Sequence, residues 1–282
     1  MVLQQAMGPI GNGTFKGMIQ AGFLVDTGQT CEKHNAPIYL RTRPSDKQSQ
    51  MCIACTIEYI DKKKQNVDLE YEKNSMLANG YVVFKRESIL SKEIASANLK
   101  NFEVKSELDQ QALNYAKRMI RDYSKGMEGN AILNGPAGVG KSHLSMAIAK
   151  ELNELFKAYN QSKSVIFVSV SRLIQVVQDS FNQKDSKFNQ ERMTKLLTEC
   201  DFLIIDDLGK ESTSGANIKQ ASDWSYRFLF NILDNRKTTI INTNFSVTQL
   251  AKIYDKPFVD RLLKGAKNNI FKYPDNAESK RF

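Results

Sequence analysis

Two hydrophobic rhythms alternate along the second part of the chain. Short apolar runs, "AILNG", "SVIFVSV", "FLIIDD", "TTIINTN" and "NNIFKY", each fit a buried strand. Between them lie segments whose apolar residues recur every three or four positions. Ser106–Ser124, Ser142–Tyr159, Ser171–Phe181 and Ala221–Arg236 read as helices, with shorter ones at Val247–Tyr254 and Phe258–Leu263. In Ser142–Tyr159 the face is made by Leu144, Ile148, Leu152, Leu155 and Phe156. Strands that run apolar throughout and are separated by helices predict an α/β fold: a five-stranded parallel sheet covered on both faces.

The first hundred residues lack that alternation. Residues 1–30 are rich in Gly, Gln and Thr and read as a loose lead-in. Residues 31–55 hold a cluster of Cys and His. From Thr56 to about Asn79, Ile57, Ile60, Val67 and Tyr71 recur at helical spacing in a charged segment, so a helix is expected. "YVVFKRESILSKEIASANLKNF" reads as a connector ending near Phe102. The expected division is a small N-terminal domain with its connector, 1–97, and an α/β domain, 98–282. No internal repeat or low-complexity tract is present.

Composition narrows the class. With 41% hydrophobic and 25% charged residues, the chain fits a globular protein with a core. No apolar run approaches the roughly 18 residues a membrane span needs. "MVLQQAMGPIGNGTF" is not a secretory signal, and four unevenly spaced cysteines are no disulfide framework, so a cytoplasmic protein is expected. The net charge is +9; residues 98–282 carry 28 Lys and Arg against 21 Asp and Glu, leaving +2 for residues 1–97. A basic second part suits an acidic partner such as nucleic acid, or simply a solubilising surface.

"GPAGVGKS", Gly135–Ser142, fits G-x-x-x-x-G-K-[ST], and it stands between a predicted strand and a predicted helix, the context this motif requires. Gly135, Pro136, Ala137, Gly138, Val139 and Gly140 can turn backbone N–H groups around phosphate oxygens, helped by the positive end of the following helix. Lys141 can reach the outer phosphates of ATP, and the Ser142 hydroxyl can ligate Mg²⁺. His143 follows directly and reads as a helix residue beside the nucleotide. In "FLIIDDLG", Asp206 ends a strand at the edge where such sheets bind ligands, and is placed to hold the Mg²⁺ shell. Asp207 can polarise the attacking water or serve as a turn residue. Being one methylene shorter than glutamate, it predicts weak hydrolysis. Asn242 and Asn244 end the next strand, where one can orient the water; turn-forming asparagines are the competing reading.

In this order and spacing, the phosphate loop, the "DD" strand end and the "INTN" strand end resemble an AAA+ ATPase. Across nearly the whole chain the similarity extends to replicative-helicase loaders of the DnaC/DnaI type, and includes "FLIIDDLGKE" and "WSYRFLFNILDNR". The resemblance implies Walker A at Gly135, Gly138, Gly140, Lys141 and Ser142, Walker B at Asp206 and Asp207, and sensor 1 at Asn244, with Asn242 as fallback. It implies an arginine finger at Arg261 in "VDRLLKG", reaching a neighbouring copy's nucleotide; a surface arginine paired with a carboxylate is the alternative. Arg281 in "AESKRF" resembles a sensor-2 arginine. Only Tyr273–Phe282 follow the last strand, so the helical lid of many AAA+ proteins is expected to be absent or truncated. Trp224, with Phe228 and Ile232 at helical spacing, reads as core, as does Cys200.

Cys31-x₂-His34 and Cys52-x₂-Cys55 are separated by 17 residues. Three thiolates and an imidazole in two short pairs suit a closed, structural Zn²⁺ site rather than a hydrolytic one, whereas free cysteines beside a surface histidine would be the bland alternative. Arg41, Arg43 and Lys47 permit DNA contact, but no recognition-helix pattern fills the interval. The resemblance implies that this domain docks on a hexameric DnaB-type helicase, while the ATPase part self-associates and contacts single-stranded DNA. Two rivals keep the ATP site. One is a transposition helper of the IstB type, acting on duplex DNA with a transposase. The other is an adaptor that binds ATP with negligible hydrolysis.

Overall fold

The structure, a computed structural model, describes residues 11–42, 48–183, 186–214 and 217–280. Arg281, Arg43 and Lys47 lie outside the described residues. The chain divides into two compact units, Met1–Ser75 and Met76–Phe282.

Among the described residues, the first unit begins with α1 (Gly11–Gln20), followed by β1 (Leu24–Cys31), β2 (Ala36–Thr42) and β3 (Gln48–Cys52) in an antiparallel sheet of that order. Part of the expected loose lead-in is therefore ordered structure. Three glycines in the α1 sequence "GNGTFKGMIQ" oppose a helix by propensity, which hid it from the sequence. The buried apolar side chains described in this unit are Leu24, Ala36, Cys52 and Ile53. The division between the units falls inside α2 (Ile53–Glu87), which is longer than the helix expected from Thr56 to Asn79.

The second unit is built on β4 (Ala131–Asn134), β5 (Val165–Ser169), β6 (Phe202–Asp206), β9 (Thr239–Thr243) and β10 (Ile270–Lys272), in the order β10-β4-β9-β6-β5 and all parallel. β4, β5, β6 and β9 are almost wholly buried because both faces are covered, whereas the border strand β10 is largely exposed. Ile132, Leu203 and Ile205 point into one core, with α6 (Val170–Asp179), α7 (Gln190–Glu199), α8 (Asp223–Asp234), α9 (Val247–Ile253) and α10 (Lys256–Leu263). Leu133, Phe202 and Ile204 point into the other, with α4 (Glu107–Ser124) and α5 (Lys141–Ala158). A minimal hairpin, β7 (Thr213–Ser214) and β8 (Asn217–Ile218), follows β6. No helix follows β10 among the described residues. No described helix is long and apolar enough to cross a membrane.

α4 begins where its sequence says it should: Ser106 and Asp109 form a reciprocal capping box. α7 is an element the sequence rhythm missed, because only Met193 and Leu197 of its ten residues are buried. The segment read as a connector packs on the second unit. Ile89 forms a parallel bridge to Val168; its N–H donates to the Phe167 carbonyl at 2.8 Å and its carbonyl accepts from the Ser169 N–H at 2.9 Å. α3 (Lys92–Ala95) follows it. Trp224 stacks on Phe228 at 5.3 Å and Cys200 is buried in the same core.

Candidate functional site

The phosphate loop spans the tip of β4 and the start of α5. Gly140 precedes the helix at φ 96°, and no side chain caps the first turn, so its amides face outward for an anion. The Lys141 ammonium donates to the Gly135 and Pro136 carbonyls at 2.9 and 2.7 Å, holding the side chain along its own loop. The loop borders a cleft of about 660 Å³ lined also by Phe102, Ser142, His143, Asp206, Asp207 and Asn244.

β6 places Asp206 where the sequence predicts, beside the loop. The Ser142 hydroxyl donates to its Oδ1 at 2.7 Å, so the two expected Mg²⁺ ligands are adjacent. Behind them, the Asn242 amide donates to the same Oδ1 at 2.7 Å and to Ser145 Oγ at 2.6 Å. Burial pushes the Asp206 carboxyl above its ordinary range, partly opposed by the hydrogen bonds from Asn242 and Ser142. A buried carboxylate beside a hydroxyl and a ring of loop amides fits Mg²⁺ with a polyphosphate. Asp207 sits at φ 59°, a left-handed conformation aspartate tolerates, and its carboxylate accepts from Lys210 Nζ at 2.9 Å. It is thus both a turn residue and a residue of the cleft.

The two asparagines divide. Asn242 is fully buried behind Asp206, whereas Asn244 lines the cleft. The side-chain oxygens of both are buried without a hydrogen-bond partner among the described residues. His143 is turned away from catalysis: Nε2 lies 2.9 Å from the Asn98 carbonyl and its ring meets Phe102 edge-on at 5.4 Å. Arg261 on α10 is not among the residues lining its own cleft. It pairs with Asp234, and its guanidinium lies 6.0 Å from the Phe230 ring. Sequence reasoning missed Phe102, Lys210 and Lys280 in the cleft, since only tertiary packing brings them there.

In the first unit, Cys31, His34, Cys52 and Cys55 offer ligand atoms that all lie within 4.8 Å of one another. Cys31 and Cys55 sulfurs are 3.7 Å apart, and His34 Nδ1 is 3.2 Å from the Cys55 sulfur. Ligands bound at ~2.0–2.3 Å to one tetrahedral ion stand about that far apart, so the set fits Zn²⁺. The hydrogen bond from His34 draws the Cys31 thiol down to about 6, while burial pushes Cys55 up to about 11. β1 and the turn after it deliver the first pair, β3 and the start of α2 the second. Glu58 completes the set: its carboxylate lies 3.5 Å from His34 Nε2, the ring nitrogen opposite the one facing the sulfurs. Such a carboxylate orients a ligating histidine. The residue stands three positions after Cys55 on α2, a helical spacing that would have pointed to it.

The strand order, the loop, and the paired Ser142 and Asp206 define an AAA+ ATPase. The chain belongs to the IstB-like ATP binding protein family, which it matches over residues 81–268. Among solved structures it is similar to the DnaC helicase loader, with a TM-score of 0.50 and 22% identity over 65% of this chain and 100% of that one. It is also similar to DnaI, at a TM-score of 0.47 and 24% identity over 67% and 94% of the two chains. A replication initiator DnaA bound to AMPPCP and single-stranded DNA scores 0.48 at 19% identity, over 65% and 50%. No match is found among curated proteins.

Proposed function

We propose that the protein is a cytoplasmic, ATP-dependent loader that binds a hexameric replicative helicase and helps place it on single-stranded DNA. The observation that carries this reading is the Cys31–His34–Cys52–Cys55 module, which lies ahead of the family-matched ATPase region. A closed metal module with no open ligand position is a structural knob suited to docking. The ATPase unit shares its fold with the DnaC helicase loader. In this reading Zn²⁺ shapes the docking unit and supplies no chemistry of its own.

In the ATPase unit, Gly135–Ser142 with His143 beside it holds ATP, and Ser142 and Asp206 hold Mg²⁺, which shields phosphate charge. Asn244 orients the attacking water and Asp207 polarises it once Lys210 lets go. Weak hydrolysis by the isolated protein is expected from the shorter reach of aspartate at position 207. Arg261 leaves Asp234 to reach the nucleotide of a neighbouring copy, and the basic second unit meets the DNA backbone. Arg281 serves as a sensor-2 arginine for the ATP held by Gly135–Ser142.

A second reading, a transposition helper on duplex DNA, is favoured by the family name itself. The deciding experiment mixes the protein with the replicative helicase of its own cell, with and without Mg·ATP, and weighs the products by light scattering after size exclusion. A complex formed by the wild type and lost in Cys52→Ser/Cys55→Ser is expected. No complex in any nucleotide state, from folded and zinc-loaded protein, rejects the loader.

A further inference from the structure

The phosphate loop is gripped by the tail that follows β10, at the rim of the cleft. The Lys280 N–H donates to the Gly138 carbonyl at 3.0 Å. Ser279 lies so close that a Cβ added at Gly138 would stand 2.2 Å from its Oγ. Tyr273 crowds Gly135 in the same way, at 2.5 Å. The Lys280 ammonium is anchored three times: 2.6 Å from Asp109 Oδ1, 2.6 Å from the Glu103 carbonyl, and 4.2 Å from the Phe102 ring centroid. Its partner is fixed in turn, since Asp109 Oδ2 accepts the Lys105 and Ser106 amides at 2.9 and 3.1 Å. Both charged side chains are largely out of solvent, at 19% and 8% exposure, which makes the pair costly to break from one side. Burial opposes the Asp109 charge, but Lys280 and the Lys105 amide outweigh it and hold the carboxyl below its usual range.

We propose that the tail Tyr273–Lys280 sets the binding conformation of the phosphate loop, with Lys280 as its positioning residue. The Lys280–Asp109 pair docks the tail, and the docked tail presents its N–H to the Gly138 carbonyl. In a trans peptide the carbonyl and the next N–H point in opposite directions. With the Gly138 carbonyl held by the tail, the Val139 N–H is fixed pointing the opposite way, free to join the successive amides that gather an anion. Lys280 thus raises affinity for the diphosphate portion shared by ATP and ADP through the loop's shape, without touching the nucleotide. The proposal rests on reading Gly135–Ser142 as the phosphate site of ATP.

The test titrates wild type, Lys280→Met, Lys280→Arg, Lys280→Pro and Asp109→Asn with Mg·ATP and Mg·ADP by calorimetry. Loss of one charge-anchored hydrogen bond should raise Kd about five- to tenfold for both nucleotides in Lys280→Met and Asp109→Asn. Lys280→Arg should restore binding, and Lys280→Pro, which has no N–H to give, should lose at least as much as the methionine. In steady-state hydrolysis the loss should fall on KM more than on kcat. Hydrogen exchange at residues 138–142 of the ligand-free protein should quicken in Lys280→Met while the strands keep their protection. Wild-type affinity in Lys280→Met overturns the proposal. So does a loss confined to ATP, which would put Lys280 on the terminal phosphate itself. Failure of the wild type to bind either nucleotide would instead overturn the phosphate-site reading.

Discussion

The two units solve the problem of stability in opposite ways. The first gathers it at one point. Its described core is Leu24, Ala36, Cys52 and Ile53, and one of those belongs to the Cys and His cluster that could hold a metal ion. A chain segment that short buries little apolar surface, whereas Zn²⁺ in small domains supplies on the order of 10–16 kcal/mol of apparent folding free energy. The second unit spreads its stability over two apolar cores on either side of five strands. A unit held that way tolerates unfavourable groups where chemistry needs them, such as the buried Asp206 carboxylate. The comparison teaches where each unit is vulnerable: the first to loss of a ligand, the second to almost no single change short of its core.

The largest effect should break the comparison at the metal. Chelation, or Cys52→Ser with Cys55→Ser, should abolish hydrogen-exchange protection across residues 24–52 while ATP binding by the second unit persists. Protection retained in the chelated protein would show that the first unit does not depend on metal.

Next comes Arg261. An arginine acting in trans is worth about 10³–10⁵ in rate, whereas its half-exposed pair with Asp234 is worth at most ~1 kcal/mol of stability. Arg261→Ala should therefore abolish the rise in hydrolysis with protein concentration and leave the melting temperature nearly unchanged. An unaltered concentration dependence would return Arg261 to the role of a surface ion pair.

Asp206 sharpens the contrast from the second unit's side. Asp206→Asn should lower hydrolysis on the order of 10²–10³-fold, since the metal's charge stabilisation is worth several kcal/mol. The same change should raise the ligand-free melting temperature. The sign follows from linkage: a carboxyl whose folded pKa is raised binds more protons folded than unfolded, so its contribution to stability falls as pH rises through the carboxylate range and stays unfavourable at neutral pH. The advantage of the asparagine variant should shrink in acid, below the unfolded carboxylate range. A variant that melts lower than wild type at neutral pH would contradict the burial argument.

The smallest effect belongs to Glu58. Glu58→Gln should weaken Zn²⁺ binding about 10- to 100-fold, read by competition with a chromogenic chelator, and leave the sheet folded at saturating metal. Unchanged affinity would reduce Glu58 to a surface ion-pair partner of the Lys33 ammonium, which its carboxylate also meets.

Much of the site was legible because its chemistry is local in sequence. Gly135–Ser142 carries its own context of strand and helix, and Asp206 ends an apolar run that can only be a buried strand. The two Cys and His pairs announce themselves by spacing. The features that were not legible depend on long-range packing. Nothing in residues 88–103 says that Ile89 will add to a strand or that Phe102 will meet His143. Nothing in the tail says that Lys280 will pair with Asp109, far earlier in the sequence. β1 was hidden by its polar alternation, with only Leu24 buried in an otherwise exposed or half-buried strand. α1 was hidden by its glycines. Asn242 and Asn244 could not be separated by sequence, because being one strand position inside or outside the sheet decides which of them meets the carboxylate and which meets the cleft.

The bridge at Ile89 also bears on how copies of this protein meet at high concentration. β5 is the outer strand of its sheet, and a free outer strand is a template for intermolecular pairing and fibril growth. Here Ser88 and Ile89 occupy backbone positions from Phe167 to Ser169, and the opposite border, β10, is only three residues long. Both borders are blunted, so strand addition gains little purchase. Association through this sheet is left to side-chain surfaces, where it is reversible and responds to ionic strength.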